Sequence, residues 1–262
     1  MTDIAERGTV LICDGLTVQY NNGSAPSAEN VTFELKKGDS LLIVGRNGTG
    51  KSTVLKGVLG LAPVKSGKVE IAREYKRCIG YLPQQSPLQK DFPASVTEVV
   101  MSGFMSKKGP FTFYNANDKR RCSEILSYLG IPGLAKKSYR ELSGGERQRV
   151  LLARALCAAI MPERSDCRCG EALCGMGGLL ILDEPSNGLD PIANRMLYNT
   201  IKKLNRDNGM TVITVSHLVG SAAACANKVL HMGKTVEFFG TLDDYRHTRL
   251  YNTLTEGGEL LD

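Results

Sequence analysis

Short apolar runs separated by turn residues fill the first third of the chain. Val10 to Tyr20, Val31 to Leu35, Leu41 to Val44, Lys68 to Ala72 and Cys78 to Leu82 are β-leaning. Asn21-Asn22-Gly23-Ser24-Ala25-Pro26 predicts a turn or hairpin tip, and Ser52 to Leu59 predicts a helix. From Ser95 the pattern turns helical. Ser95 with Glu98 three residues later has the form of a capping box. Ile125, Leu126 and Leu129 recur at helical spacing within Asp118 to Leu129. Glu146 to Ile160 and Ile192 to Asn205 also read as helices. Leu179-Leu180-Ile181-Leu182 is a fully apolar run, as a strand covered on both faces would be, and Met210 to Val215 reads as another buried strand. Val229 to Met232 with Thr235 to Phe239 reads as a late hairpin, and no internal repeat is evident.

Length and composition narrow the class. A chain of 262 residues with 42% hydrophobic content can bury a sizeable core and is not a disordered segment. The formal net charge of +6 reads as a solvated surface, with no nucleic-acid partner expected. No window offers the apolar length of a membrane-spanning helix, and Met1-Thr2-Asp3-Ile4-Ala5-Glu6-Arg7 lacks the apolar core of a signal peptide. A cytoplasmic setting follows as an expectation, with the eight cysteines mostly reduced.

Candidate chemistry begins at Gly45-Arg46-Asn47-Gly48-Thr49-Gly50-Lys51-Ser52, which fits G-x-x-x-x-G-K-[ST], the P-loop. An apolar run precedes it and a helical stretch follows, the context this motif requires. Glycines let backbone N–H groups surround phosphate oxygens, and the helix N-terminus adds a positive dipole end. Gly45, Asn47, Gly48, Gly50, Lys51, Ser52 and Thr53 are therefore the nucleotide-binding candidates here. Lys51 is expected to reach the outer phosphates and Ser52 to hold Mg²⁺. Further along, Leu179-Leu180-Ile181-Leu182-Asp183-Glu184-Pro185 delivers two acids at the end of an apolar strand, the Walker B arrangement. Asp183 can ligate Mg²⁺, and Glu184 can accept a proton from an attacking water.

Leu142-Ser143-Gly144-Gly145-Glu146-Arg147-Gln148-Arg149-Val150 resembles the signature sequence of ATP-binding cassette ATPases. Ser143, Gly144 and Gly145 at a helix start form a second anion cradle. The resemblance implies a homodimer in which the signature of one copy closes over ATP held by the P-loop of the other. It implies further roles by position. Tyr20 looks like the residue that stacks on adenine. Gln84, with Gln85 beside it, looks like the Q-loop glutamine that senses Mg²⁺ and the attacking water. Asp190, in Ser186-Asn187-Gly188-Leu189-Asp190, resembles the inter-subunit residue of the D-loop. His217 resembles the switch histidine of the γ-phosphate. Glu184, His217 and Gln84 are thus the catalytic candidates, and Ser52, Gln84 and Asp183 the Mg²⁺ candidates.

The implied fold is α/β: a P-loop NTPase core with a mainly parallel sheet, an N-terminal antiparallel β subdomain and an inserted helical subdomain. A single cassette would span 1–262, its core and β subdomain over about 1–85 and 146–240 and its helical subdomain over about 86–145. A Cys-rich insert would occupy 157–178 and a C-terminal tail 241–262. The insert is the one departure from the family. Cys167, Cys169 and Cys174 read first as free thiols on a glycine-rich loop, and second as a structural metal knuckle with Cys157 as a possible fourth ligand. Its place before the Walker B strand predicts a position at the edge away from ATP.

One cassette without a membrane span implies a separate integral membrane permease and a place at the cytoplasmic face of the membrane. The lobe from about Ser86 to Arg140 is the expected docking surface. Asp91 to Gly103 is similar to the cassettes of bacterial manganese, zinc and iron importers, which points to an extracytoplasmic substrate-binding protein in the same system. The alternative reading is the soluble cassette of an iron–sulfur assembly scaffold. A chromosome-maintenance ATPase would need a long coiled coil that the sequence does not contain.

Overall fold

The computed structural model describes residues 4, 8–20, 25–84, 93–108, 113–161, 177–217 and 219–256. Its strands are β1 (Thr9–Val18), β2 (Ala28–Lys36), β3 (Ser40–Val44), β4 (Val64–Ile71), β5 (Ile79–Leu82), β6 (Leu179–Asp183), β7 (Thr211–Val215), β8 (Lys228–Met232) and β9 (Val236–Thr241). Its α-helices are α1 (Lys51–Val58), α2 (Val96–Met101), α3 (Ala116–Tyr128), α4 (Gly144–Ala159), α5 (Pro191–Arg206), α6 (Val219–Ala223), α7 (Leu242–Arg246) and α8 (Arg249–Glu256). The chain forms two compact units, Met1–Arg73 with Thr211–Asp262, and Glu74–Met210.

The first unit carries an antiparallel sheet in the order β2-β1-β4. On β2, Val31, Phe33 and Leu35 are buried while the residues between them are exposed, the alternation of a sheet with one wet face. Helix α1 packs against β1 and β2. In the same unit β7, β3 and β8 run parallel, and β9 closes the edge antiparallel to β8. Every residue of β3 and β7 is buried, the two threonines of β7 included, as in strands covered on both faces.

The second unit pairs β5 and β6 in parallel. Helix α4 packs on both strands and on α2 and α3. The helices of this unit begin where their caps dictate. The Ser95 hydroxyl accepts from Glu98 N–H and the Glu98 carboxylate accepts from Ser95 N–H, the reciprocal pair expected for α2. Asn115 with Asp118 starts α3, two residues ahead of the helix expected from apolar spacing alone. Asp190 caps α5 through bonds of 2.9 Å from Ile192 N–H and Ala193 N–H, with Pro191 in the first turn. At the other end of α4, the Lys107 ammonium donates to the carbonyls of Cys157, at 3.0 Å, and of Ile160. Burial lowers the pKa of Lys107 to about 8.

The structure departs from the sequence reading in places. The expected tail from 241 holds α7 and α8, and α6 was not foreseen. Strand β1 ends at Val18, leaving Tyr20 beyond it, and β4 begins at Val64 rather than Lys68. The tip residues 21–24 and the cysteines Cys167, Cys169 and Cys174 lie outside the described residues. Cys157 is buried in α4, and that burial pushes its thiol well above the ordinary range.

Candidate functional site

Two groups of residues stand out, one in each unit. In the first unit the phosphate loop runs from the end of β3 into α1. A Cβ on Gly45, at φ +143°, would lie 2.1 Å from the carbonyl oxygen of Met232. On Gly50, at φ +89°, it would lie 2.1 Å from that of Ser27. Only glycine fits at either position, so the loop is seated on the backbone of β8 and on the segment entering β2. Lys51 is buried, and its ammonium donates to the carbonyls of Gly45 at 2.8 Å and Arg46 at 2.9 Å. Arg46, Asn47 and Gly48 are exposed along the loop, and Ser52 and Thr53 are half-buried in the first turn of α1.

Strand register fixes what else lies near the loop in this unit. β3 pairs with β7 at Ile43↔Val215 and with β8 at Val44↔His231. Ser216 N–H donates to the Ile43 carbonyl at 3.2 Å. Gly45 and His217 each follow their paired residue by two positions, so both leave the sheet at its carboxyl end, where open α/β sheets bind ligands. His217 is exposed there. Tyr20 keeps 39% of its surface, just beyond β1.

In the second unit the same logic brings the acids and the glutamine together. β5 and β6 pair at Leu82↔Leu182, and Gln84 and Glu184 each lie two residues further on. The Gln84 amide donates to Glu184 Oε2 at 3.2 Å. Glu184 adopts φ +47°, an uncommon backbone state for a residue with a long side chain and one that concentrates at active sites. Asp183 is buried at the end of β6. The phenol of Tyr81 donates to its carboxylate, and burial with the Asp183 charge pushes the Tyr81 pKa up to about 12.

The signature segment opens α4. The Ser143 hydroxyl accepts from Glu146 N–H at 3.3 Å, and the Glu146 carboxylate accepts from Ser143 N–H at 2.8 Å. The Ser143 backbone N–H first, and then its hydroxyl, hold the Glu146 carboxyl below its ordinary range. A Cβ on Gly144 would meet nothing within 4 Å, and one on Gly145 only Leu189 at 4.0 Å. Among the described residues no packing requires glycine at either position. One turn further along α4, buried Gln148 donates from its amide to the carbonyl of Pro185, tying the helix to the turn after the acids. Asp190 follows that turn as the cap of α5.

Tyr81 and Gln148 went unnoticed in the sequence. Tyr81 lies inside a strand, and only the parallel register shows which acid it faces. Gln148 sits within the signature stretch, where a polar residue on a buried helix face was the available signal. As for Mg²⁺, Ser52, Gln84 and Asp183 offer oxygen atoms, the donor set a hard cation takes. Among the described residues no cluster of His, Cys, Asp and Glu forms a further metal site.

A family model described as ABC transporter matches residues 28–160, more than half of the chain. The chain belongs to the ABC transporter family. It is 33% identical over 237 residues to the zinc uptake system ATP-binding protein ZurA of Listeria innocua, covering 88% of this chain and 86% of that protein. It is 32% identical over 233 residues to the manganese transport system ATP-binding protein MntB of Listeria monocytogenes, covering 87% of this chain and 89% of that protein. It is 31% identical over 256 residues to the chelated iron transport system membrane protein YfeB of Yersinia pestis, covering 95% of this chain and 80% of that protein. Among solved structures, a transporter described as of the metal-chelate ABC type, in an inward-facing conformation, superimposes with a TM-score of 0.75 at 29% identity, over 95% of this chain and 89% of that one. The dimeric cassette MJ0796 superimposes with a TM-score of 0.70 at 25% identity, over 88% of this chain and 98% of that one. This ABC protein is therefore an ATPase with the P-loop NTPase fold, its substrate is ATP with Mg²⁺, and it works as a subunit of a transporter.

Proposed function

We propose that this ABC ATPase drives import of a transition-metal ion or metal chelate through a separate membrane permease, as a homodimer that closes on ATP. In this reading Lys51 and the P-loop backbone hold the phosphates, and Ser52, Gln84 and Asp183 ligate Mg²⁺. The cation, when bound, neutralises charge developing on the phosphates. Tyr81 steadies the Asp183 carboxylate. Glu184, oriented by Gln84, accepts the proton of the attacking water. His217 contacts the γ-phosphate, and Tyr20 stacks on adenine through its exposed ring.

The observation that carries the dimer is the signature itself. Gly144 and Gly145 favour a helix start less than alanine would, by about 0.5 kcal/mol apiece, and among the described residues almost nothing occupies the space they leave. Bare backbone at a helix N-terminus suits a phosphate presented by another molecule. Asp190 lies on the same flank, beside Leu189 and Gly145.

The permease reading rests on the helical lobe. Met105 keeps 61% and Phe113 91% of their surface there, large apolar side chains whose exposure suits a partner. The described residues contain no helix long and apolar enough to cross a membrane, which fits a subunit that depends on another chain for passage. The relatives named above are zinc, manganese and chelated-iron transport proteins, which favours metal import over the iron–sulfur scaffold.

Purification of the tagged protein from detergent-solubilised cells tests this reading. The expected partner is a polytopic membrane protein. Vesicles reconstituted with the pair and an extracytoplasmic binding protein should accumulate radiolabelled manganese, zinc or iron only with ATP. A soluble scaffold recovered in place of the permease would overturn the transport reading.

A further inference from the structure

Behind the phosphate loop lies a buried histidine that the mechanism above does not use. His231 is the next-to-last residue of β8 and pairs in register with Val44, the residue before the loop. The residue after it, Met232, supplies the carbonyl against which Gly45 is seated. The ring is almost wholly buried, at 6% exposure. It is gripped from two elements. Nδ1 lies 2.7 Å from the hydroxyl of Tyr245 on α7, and Nε2 lies 3.6 Å from the Glu237 carboxylate on β9. Tyr245 is fully buried and is fixed in turn by the rings of Phe238, with centroids 5.2 Å apart, and Tyr251, at 5.8 Å.

The remaining surroundings are those of a charge-sensing position. A cavity of about 250 Å³ is lined by His231, Met232, Gly233 and Glu237 on one side and by Arg46 and Thr49 of the phosphate loop on the other. Helix α8 closes it with Leu250, Thr253 and Leu254, which carry no charge. The charged groups around the imidazole are therefore Glu237 from β9, Lys51 from α1 and Arg46 from the loop. Burial lowers the His231 pKa first, Glu237 opposes that, and Lys51 adds to it. The free protein thus holds the ring neutral near neutral pH, with Glu237 in place to pair with an added proton.

We propose that His231, clamped by Tyr245 and Glu237, is a positioning residue of the phosphate loop that takes up a proton when a triphosphate binds. The step balances simply: one proton from solvent joins one imidazole nitrogen, no covalent bond to the nucleotide forms, and the imidazolium pairs with Glu237. The bound phosphates offset the repulsion from Lys51 that disfavours this charge in the free protein. By linkage, whatever binds better to the protonated form raises its population. Nucleotide affinity therefore rises as pH falls through the window between the free and bound pKa of the ring. The inference rests on the P-loop reading above.

The test uses the full chain with a fluorescent ATP analogue and magnesium. Calorimetry in buffers of different ionisation enthalpy counts the protons taken up between about pH 6 and 8, the range where histidine titrates. Wild type should bind with uptake beyond that of the nucleotide's own titration. His231→Gln should lose this excess. Its affinity should match wild type near about pH 8 and fall about threefold to tenfold behind near about pH 6, the scale of one net hydrogen bond. A purely structural role would weaken binding equally at both. Glu237 is half-exposed, so Glu237→Gln does not put folding at stake. It removes the partner of the imidazolium and should move uptake to lower pH. Equal uptake and affinity in wild type and both variants would overturn the inference. If His231→Gln fails to fold, the Glu237→Gln shift decides, and an unshifted profile overturns it. Lys51→Ala separates the two levels. Unchanged binding in Lys51→Ala sinks the P-loop reading itself, while lost binding there with unchanged His231→Gln and Glu237→Gln sinks this inference alone.

Discussion

Glu184 holds a left-handed backbone at φ +47° and accepts a bond from Gln84. Replacing it with glutamine keeps the shape and removes the base. Hydrolysis should fall by at least about 10²-fold, the lower end of general-base contributions, while nucleotide binding survives. Phosphate release and a binding titration measured side by side check this, and equal loss of both would contradict it. Tyr81 acts on a smaller scale. Tyr81→Phe removes the donor to the buried Asp183 carboxylate, so turnover should drop roughly threefold to tenfold, the effect of one net hydrogen bond, and KM for magnesium should rise. Cys13 and Cys122 concern stability instead. Burial pushes their thiols from 9.0 up to about 12 and about 11, so the unfolded chain ionises first. Their contribution is intact below about pH 9 and is lost as pH rises through about 11 to 12. Urea midpoints should decline over that window in wild type and decline less in Cys13→Ala/Cys122→Ala. Lys107, lowered to about 8, pulls the other way as pH rises, and it is common to both proteins and cancels in the comparison.

At the level of elements, α4 shows how local chemistry and function share a helix. The box of Ser143 and Glu146 starts it, Gln148 ties it to the turn of Pro185, and Lys107 holds its last carbonyls. Gly144 and Gly145 are the two positions the helix does not want. Gly144→Ala should stabilise the isolated chain by about 0.5 kcal/mol, by restricting the unfolded state, yet lower ATPase activity several-fold by filling the anion cradle. Thermal melts and phosphate release on the same preparation test both halves. A destabilised variant would mean that the glycine serves the fold of its own chain. Much of this was legible beforehand. The apolar run of β6 and the segment of β7 named them as buried strands, and Ser95 with Glu98 marked the start of α2. What stayed hidden depends on pairing across long sequence distances. The register Leu82↔Leu182 aligns Gln84 with Glu184, and nothing within either segment states it. The short helices α6, α7 and α8 escaped because five to eight residues carry too few turns for a periodicity to show.

For the whole molecule, each unit holds a different part of the chemistry. The first carries the phosphate loop and His217, the second the acids, Gln84 and the signature. The signature offers bare backbone that the described residues of its own chain leave uncovered, so the account predicts that hydrolysis needs two copies. Chemistry is slowed in Glu184→Gln while binding survives, so ATP should hold that variant in its closed assembly. Light scattering of Glu184→Gln with ATP and magnesium is the most direct test. The account predicts a mass that doubles from the 28.4 kDa of one chain when ATP is added and returns when it is removed. A mass that stays at that of one chain, with ATP demonstrably bound, would contradict it.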